Sequence, residues 1–410
     1  MDSSLVKRPL SLFFVVLLTA LLIAYAYFDV TTSAQAGKMD VARDRVYPII
    51  LSILVLLGFY AVCHKMRPVL RLPLTPVLVI ILVWLILGNV LNGSLGREAG
   101  INVMMGIMWL LTYFSFFQYV RCNKRDELKV FFIVMFIVYL LVNIYAQRNI
   151  AIAYGREYGM TSYSYYLLAM LPALMMIENK GLRLALVCIC SFFVVFSFKR
   201  GPILTLPLIL LVYILIGKKV GTAHYNLLWV FVITIFTVAL VYYVNLLSNG
   251  FLLSRFSEDE LSSASGRDEI WSSVWADIRQ RDYLHLLIGK GAGYSVQLVG
   301  TGVHNEWLEF LSTYGLVGLA FYFSFFIALI RRLIGLIKDR SRYAPQYAAS
   351  IAFFFLSGLS DGFYFVYWSF YFFSTLGYLE ALVRKEKKQL NKKAYLKPSN
   401  RRNLYKYIHR

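Results

Sequence analysis

The chain has 410 residues, 59% of them hydrophobic and only 16% charged, with a net charge of +20. Its apolar residues gather in long runs instead of recurring at amphipathic spacing, which excludes an ordinary soluble domain and indicates a membrane-spanning chain. The basic excess, concentrated after Val383, reads as attraction to anionic lipid headgroups and as a topology signal, with no nucleic-acid partner.

A bilayer core is crossed by about 17 to 25 mostly apolar residues. Twelve stretches approach that length: 10–28, 48–63, 74–91, 101–120, 130–147, 162–177, 184–198, 201–216, 226–247, 307–330, 347–361 and 363–383. Lys7 and Arg8 precede the first and Ala34-Gln35-Ala36 follows it, a layout shared with secretory signals. Its apolar run exceeds the roughly 7 to 15 residues of a signal peptide, so it reads as an uncleaved span. With the amino terminus inside, the inner segments carry 29 Lys and Arg and the outer loops 13, which places both termini in the cytoplasm. The four cysteines, Cys63, Cys122, Cys188 and Cys190, suggest neither a disulfide framework nor a metal site.

Between the seventh and eighth stretches, Lys199-Arg200-Gly201-Pro202 interrupts an apolar run too long for one crossing, and reads as a tight reversal. Pro202 suits a first helical turn, which puts Arg200 at the outer amino end of the eighth span. Charges at such a boundary are candidates for function. Asp361-Gly362, the last outer turn, is positioned to pair with one of these cations.

One outer loop, residues 248–306, is far longer than the others, and loops of that size are commonly functional. Within it Arg267, Trp271, Val274 and Ile278 fall on one helical stripe, with Ser265 and Asp268 spaced as a capping box. That stripe should lie on the membrane surface or against the bundle, turning Arg267 inward. The cluster Gly289-Lys290-Gly291-Ala292-Gly293 lacks the spacing of a phosphate loop and reads as a flexible turn. His304 and Asn305 then stand where the loop becomes a membrane helix, whose amino end suits an anion. Glu306 and Glu309 in its first turn offset the dipole, and His304 is the side chain best suited to act as a base near neutral pH.

The constellation is two arginines and a histidine at one membrane face, with no nucleotide-binding or soluble catalytic domain. The segment Ser265-Gly266-Arg267-Asp268-Glu269-Ile270-Trp271, the glycine cluster, His304-Asn305-Glu306-Trp307-Leu308 and Gly315-Leu316-Val317-Gly318 together resemble the signature region of the O-antigen polymerase and ligase superfamily. Phe198-Lys199-Arg200-Gly201 resembles that family's arginine outside a mid-chain span, and Lys199 beside it is a departure.

The resemblance implies an all-α polytopic protein of about twelve transmembrane helices, similar to the C-type glycosyltransferases, in a bacterial cytoplasmic membrane. Its large extracytoplasmic loop would carry short helices. The layout would be spans 1 to 9 over 1–247, the loop over 248–306, spans 10 to 12 over 307–383 and a basic tail over 384–410. It further implies inverting transfer of a glycan from undecaprenyl pyrophosphate to an acceptor glycan or lipid, without metal or cofactor, for O-antigen, exopolysaccharide or capsule synthesis. Arg200 and Arg267 would bind the pyrophosphate and His304 would serve the acceptor hydroxyl. Lys199, Asn305 and Trp271 are candidate substrate-binding residues, and a chain-length regulator is a possible partner. A polymerase is the first reading and a ligase the second. A transporter or flippase of lipid-linked sugars, from a different class, would show repeated halves and broken helices around a midplane site.

Overall fold

The computed structural model describes residues 3–33, 39–63, 72–123, 126–153, 155, 157–222, 227–257, 267–361 and 368–396. Ala34-Gln35-Ala36, Ser265, Gly266, Gly362 and the tail after Leu396 lie outside these residues, so the capping box and the small residues after the first span are not described. Among the described residues the chain is helical, without strands.

Helices α1 (Ser3–Ser33), α2 (Met39–Cys63), α3 (Thr75–Leu91), α4 (Arg97–Cys122), α5 (Asp126–Ala153) and α6 (Ser164–Leu174) make up the first half. Next come α7 (Lys180–Phe196), α8 (Arg200–Val220) and α9 (Leu227–Leu247). The surface segment contributes α10 (Phe251–Ser254), α11 (Arg267–Gln280), α12 (Tyr283–Ile288) and α13 (Tyr294–Val299). The chain returns through α14 (Glu306–Lys338), α15 (Ala344–Ser360) and α16 (Trp368–Leu396). Each of the twelve apolar stretches overlaps one of these helices over its described residues. Among the described residues six are long and apolar enough to cross a membrane, and four further apolar helices are shorter. The protein is a multi-pass membrane protein.

Helix-to-helix packing, not exclusion of apolar surface from lipid, holds such a bundle together, so small residues and polar contacts mark its close crossings. At the centre α4 lies against α16. A Cβ at Gly377 would stand 2.4 Å from the Tyr113 carbonyl oxygen, so only glycine permits this approach. Trp109 donates to Ser369 Oγ at 3.0 Å and stacks on Phe373. Every residue of α6 is buried, which makes it the axle between α5, α15 and α16. By contrast α3 leaves a stripe of Ile80, Val83, Leu87 and Val90 exposed, as expected of a face toward lipid.

The longest helix is broken. Gly315, at φ +66 and ψ −168, is non-helical within α14, dividing it into a buried half from Glu306 to Tyr314 and a longer apolar half. At 1.5 Å per residue, residues 316–338 alone extend about 34 Å, enough to cross a core of about 30 Å. The part after the kink is thus long enough to span by itself, and the half-helix before it packs through Leu308 and Leu311 against Val274 and Ile278 of the loop. Trp84 Nε1 donates to the Tyr314 carbonyl at 3.4 Å, and Asn102 donates to the Tyr314 hydroxyl at 2.8 Å. Both contacts brace the break.

Candidate active site

The reversal between α7 and α8 is as tight as the sequence implies, and its backbone carries strain. Phe198 sits at φ +54, a conformation that costs an L residue roughly 1–2 kcal/mol. It is 1% exposed, walled in by the rings of Tyr158, Phe196 and Phe251 at 5.3 to 5.4 Å. Packing of those rings holds the strained turn, and the turn sets Lys199 and Arg200 at the start of α8. Thr161 N–H donates to the Ser197 carbonyl at 3.3 Å, drawing the entry to α6 against the same turn.

Lys199 does not reach into solvent. Its ammonium meets Asp361 Oδ2 at 2.5 Å, donates to Ser162 Oγ and lies 5.3 Å from the centre of the Tyr165 ring. Asp361 terminates α15, with a side chain only 9% exposed. Its other oxygen lies 3.3 Å from His304 Nδ1. Burial alone would push the Asp361 carboxyl upward, but the Lys199 charge and the His304 contact hold it well below the usual carboxylate range. One ionised carboxylate thus ties the reversal, the end of α15 and the start of α14 together.

His304 is also held in the left-handed region, at φ +54. Its neighbours fix it from both sides. The Val303 N–H donates to Glu309 Oε2 at 3.1 Å and the Val303 carbonyl accepts from Trp271 Nε1 at 2.9 Å. On the other side Asn305 Oδ1 caps α14 by accepting from Leu308 N–H at 3.0 Å. Backbone strain braced this thoroughly recurs at functional sites, and the imidazole itself remains 40% exposed. Glu309 does more than offset a helix dipole. Buried in the bundle, it also accepts from Ser295 Oγ at 2.7 Å and Thr313 Oγ1 at 3.2 Å, joining loop to helix.

Of the two settings expected for the α11 stripe, the bundle is the one found. Val274 and Ile278 are buried against Val303, Leu308 and Leu311, and Trp271 packs beside them. Arg267 stands one helical turn before Trp271, on the same stripe. The glycine cluster is a close-packed seam instead of a flexible turn. Lys290 N–H and Gly291 N–H donate to the carbonyls of Ser312 and Thr313, and a Cβ at Gly289 would lie 2.2 Å from the Thr313 oxygen. The turn expectation holds for the backbone, since Gly289, Gly291 and Gly293 all have positive φ. Flexibility fails because the cluster is packed in: Gly289 meets the backbone of Thr313 and Gly315, Gly291 the side chains of Ser94 and Asn92, and Gly293 the side chain of Glu98.

A second polar knot locks the loop. Arg281, with its side chain 1% exposed, binds Asp277 Oδ2 through Nε and Nη2 at 2.9 and 2.6 Å and donates to the Ser312 carbonyl at 2.8 Å. Asp277 Oδ1 accepts from the Tyr294 hydroxyl at 2.6 Å and from Lys290 at 3.1 Å.

Lys199 and His304 therefore meet through Asp361, with Arg200 next in sequence to Lys199 and Arg267 a turn from the tryptophan that supports His304. Asn305 and Trp271 act on backbone: one caps α14 and the other holds Val303. Sequence reasoning singled out Asp361 as a partner for a cation, but not as the junction of lysine and histidine. Ser162, Tyr165 and the bracing by Glu309 were missed, and no local pattern marks them.

Residues 184–323 match the family model described as O-antigen ligase. The matched segment runs from α7 through the strained reversal, the surface helices and His304 to just beyond the kink. No curated protein matches the chain. It is thus over the segment holding Lys199, Arg200, Arg267 and His304 that this protein is similar to the O-antigen ligase family, consistent with the O-antigen polymerase and ligase superfamily.

Proposed function

We propose that the protein is a glycosyltransferase that moves glycan repeat units from undecaprenyl pyrophosphate to the hydroxyl of an acceptor glycan, acting at the extracytoplasmic face of a bacterial cytoplasmic membrane. The observation that carries this reading is the Asp361 junction. With Nδ1–H donating to the Asp361 carboxylate, the tautomer keeps the lone pair on Nε2, on a ring that is 40% exposed. That is the arrangement of a general base oriented by an acid.

In the step proposed, the acceptor oxygen attacks the anomeric carbon as His304 Nε2 takes its proton. The bond from that carbon to the pyrophosphate oxygen breaks, inverting the centre, and the pyrophosphate leaves on its lipid. Arg200 and Arg267 neutralise it, since guanidinium forks pair well with phosphate oxygens. Lys199 is engaged by Asp361 and Ser162, a role in holding the carboxylate. The reaction so written asks for no metal or cofactor.

A ligase that transfers finished glycan to a lipid acceptor uses the same chemistry and is equally consistent with the matched family. The two are separated by glycan size distribution in cells lacking the gene and complemented with wild type, Arg200→Ala, Arg267→Ala or His304→Ala. A polymerase predicts single repeat units and a lost ladder in all three variants, whereas a ligase predicts long chains left on the carrier. Normal glycan from every variant at normal protein levels would remove the enzyme reading and bring forward a transporter, for which the broken α14 is the one supporting feature.

A further inference from the structure

At the end of the bundle opposite His304, α14 and α16 border a cavity of about 720 Å³. Its inner wall is apolar, formed by Leu336, Val383 and Leu390. Basic side chains crowd the remainder: Arg332 and Arg384 deeper, and Lys338, Arg340 and Lys387 at the exposed rim. Three carboxylates share the lining, and each has an assigned cation or hydroxyl. Glu380, fully buried, receives two 2.8 Å bonds from Arg332. Glu386 accepts from Ser341 Oγ at 2.5 Å, and Asp339 faces Lys387 at 4.0 Å. Five cations against three engaged carboxylates leave the cavity positive. Arg340 is held on the rim at φ +49, in the left-handed region that side chains other than glycine seldom adopt.

We propose that this cavity binds an anionic phospholipid, with the headgroup phosphate at the Lys338 and Arg340 rim and an acyl chain along the Leu336, Val383 and Leu390 wall. The placement suits such a ligand. The cavity opens where two long helices leave the apolar region, and basic pockets between membrane helices recognise anionic headgroups. A free phosphate would use the rim but gain nothing from the apolar wall. Five cations solvated separately on a convex surface would need no wall at all. The inference does not depend on the transfer reaction, because the cavity lies at the far end of α14 from His304.

The test uses purified full-length protein titrated with phosphatidylglycerol or phosphatidylcholine, with native mass spectrometry counting lipids retained per chain. Wild type is expected to retain phosphatidylglycerol about tenfold better than phosphatidylcholine, since each basic residue near a headgroup contributes on the order of 1 kcal/mol. Lys338→Ala combined with Arg340→Ala should abolish that preference. Arg331→Ala, exposed at the same end but outside the lining, should keep it. Equal retention of both lipids by wild type, or an unchanged preference in the double variant, overturns the proposal. Displacement of the bound phosphatidylglycerol by excess sodium phosphate also overturns it, making the site one for a free anion.

Discussion

His304 and Lys199 occupy opposite oxygens of Asp361, the imidazole Nδ1 3.3 Å from Oδ1 and the ammonium 2.5 Å from Oδ2. The carboxylate is nearly buried, so its charge is stabilised chiefly by these two partners. Lys199 compensates the charge, and in the proposed mechanism His304 uses it.

Removing one partner leaves a buried charge exposed to its desolvation penalty. Lys199→Ala should lower stability by about 3 kcal/mol, whereas Lys199→Ala with Asp361→Asn should lower it by less, because no uncompensated carboxylate remains. Thermal unfolding of the purified protein in detergent measures both. Additive losses in the double variant would mean that the pair is not coupled.

On activity the same residues separate differently. His304→Ala is expected to reduce turnover by about 10²- to 10⁴-fold, the range for loss of a general base. Asp361→Asn keeps the size of the side chain but not its charge, and should lower kcat with little change in acceptor KM. Steady-state transfer assays with a defined lipid-linked donor decide this, and a KM effect alone would assign Asp361 to binding.

For the phosphate contacts, Arg200→Lys and Arg267→Lys should recover little of the activity lost in the alanine variants, because an ammonium lacks the guanidinium fork. Full rescue by lysine at either position would show that charge alone suffices there.

Gly315 tests the seam between loop and broken helix. A Cβ there would stand 2.3 Å from the Leu287 carbonyl oxygen, on a backbone at φ +66. Gly315→Ala should therefore cost more than about 2 kcal/mol, combining a clash with a left-handed alanine. Gly335→Ala, in the same helix with nothing within 4 Å, should be neutral or stabilising by about 0.5 kcal/mol. The melting temperatures of the two variants provide the comparison.

Asp277 gives the loop a defined acid limit. Burial pushes its carboxyl up, but hydrogen bonds from Tyr294, Arg281 and Lys290 hold it below the ordinary value. A depressed carboxyl contributes its stability above the unfolded value near 4 and loses it as pH falls through the lower folded value. Protection of residues 267–300 from hydrogen exchange should therefore persist at pH 5 and decay only below about pH 4. Asp277→Asn should be unprotected at every pH, since the buried Arg281 loses its counter-charge.

The sequence by itself determined the all-helical, multi-pass class of the protein and the positions of its apolar helices. All twelve apolar stretches overlap a helix over their described residues, and Trp271, Val274 and Ile278 pack along the stripe their spacing implies. These features were legible because run length, helical period and a charge pair between apolar runs are local properties of a chain. The tertiary structure alone decided that Asp361 joins Lys199, 162 residues away, to His304, 57 residues away. It also decided that the glycine cluster closes on Gly315, and that Glu309 braces the histidine from within the bundle. Each of these depends on which helix ends lie side by side. That is set by packing among many residues at once, and no window of neighbouring residues contains it.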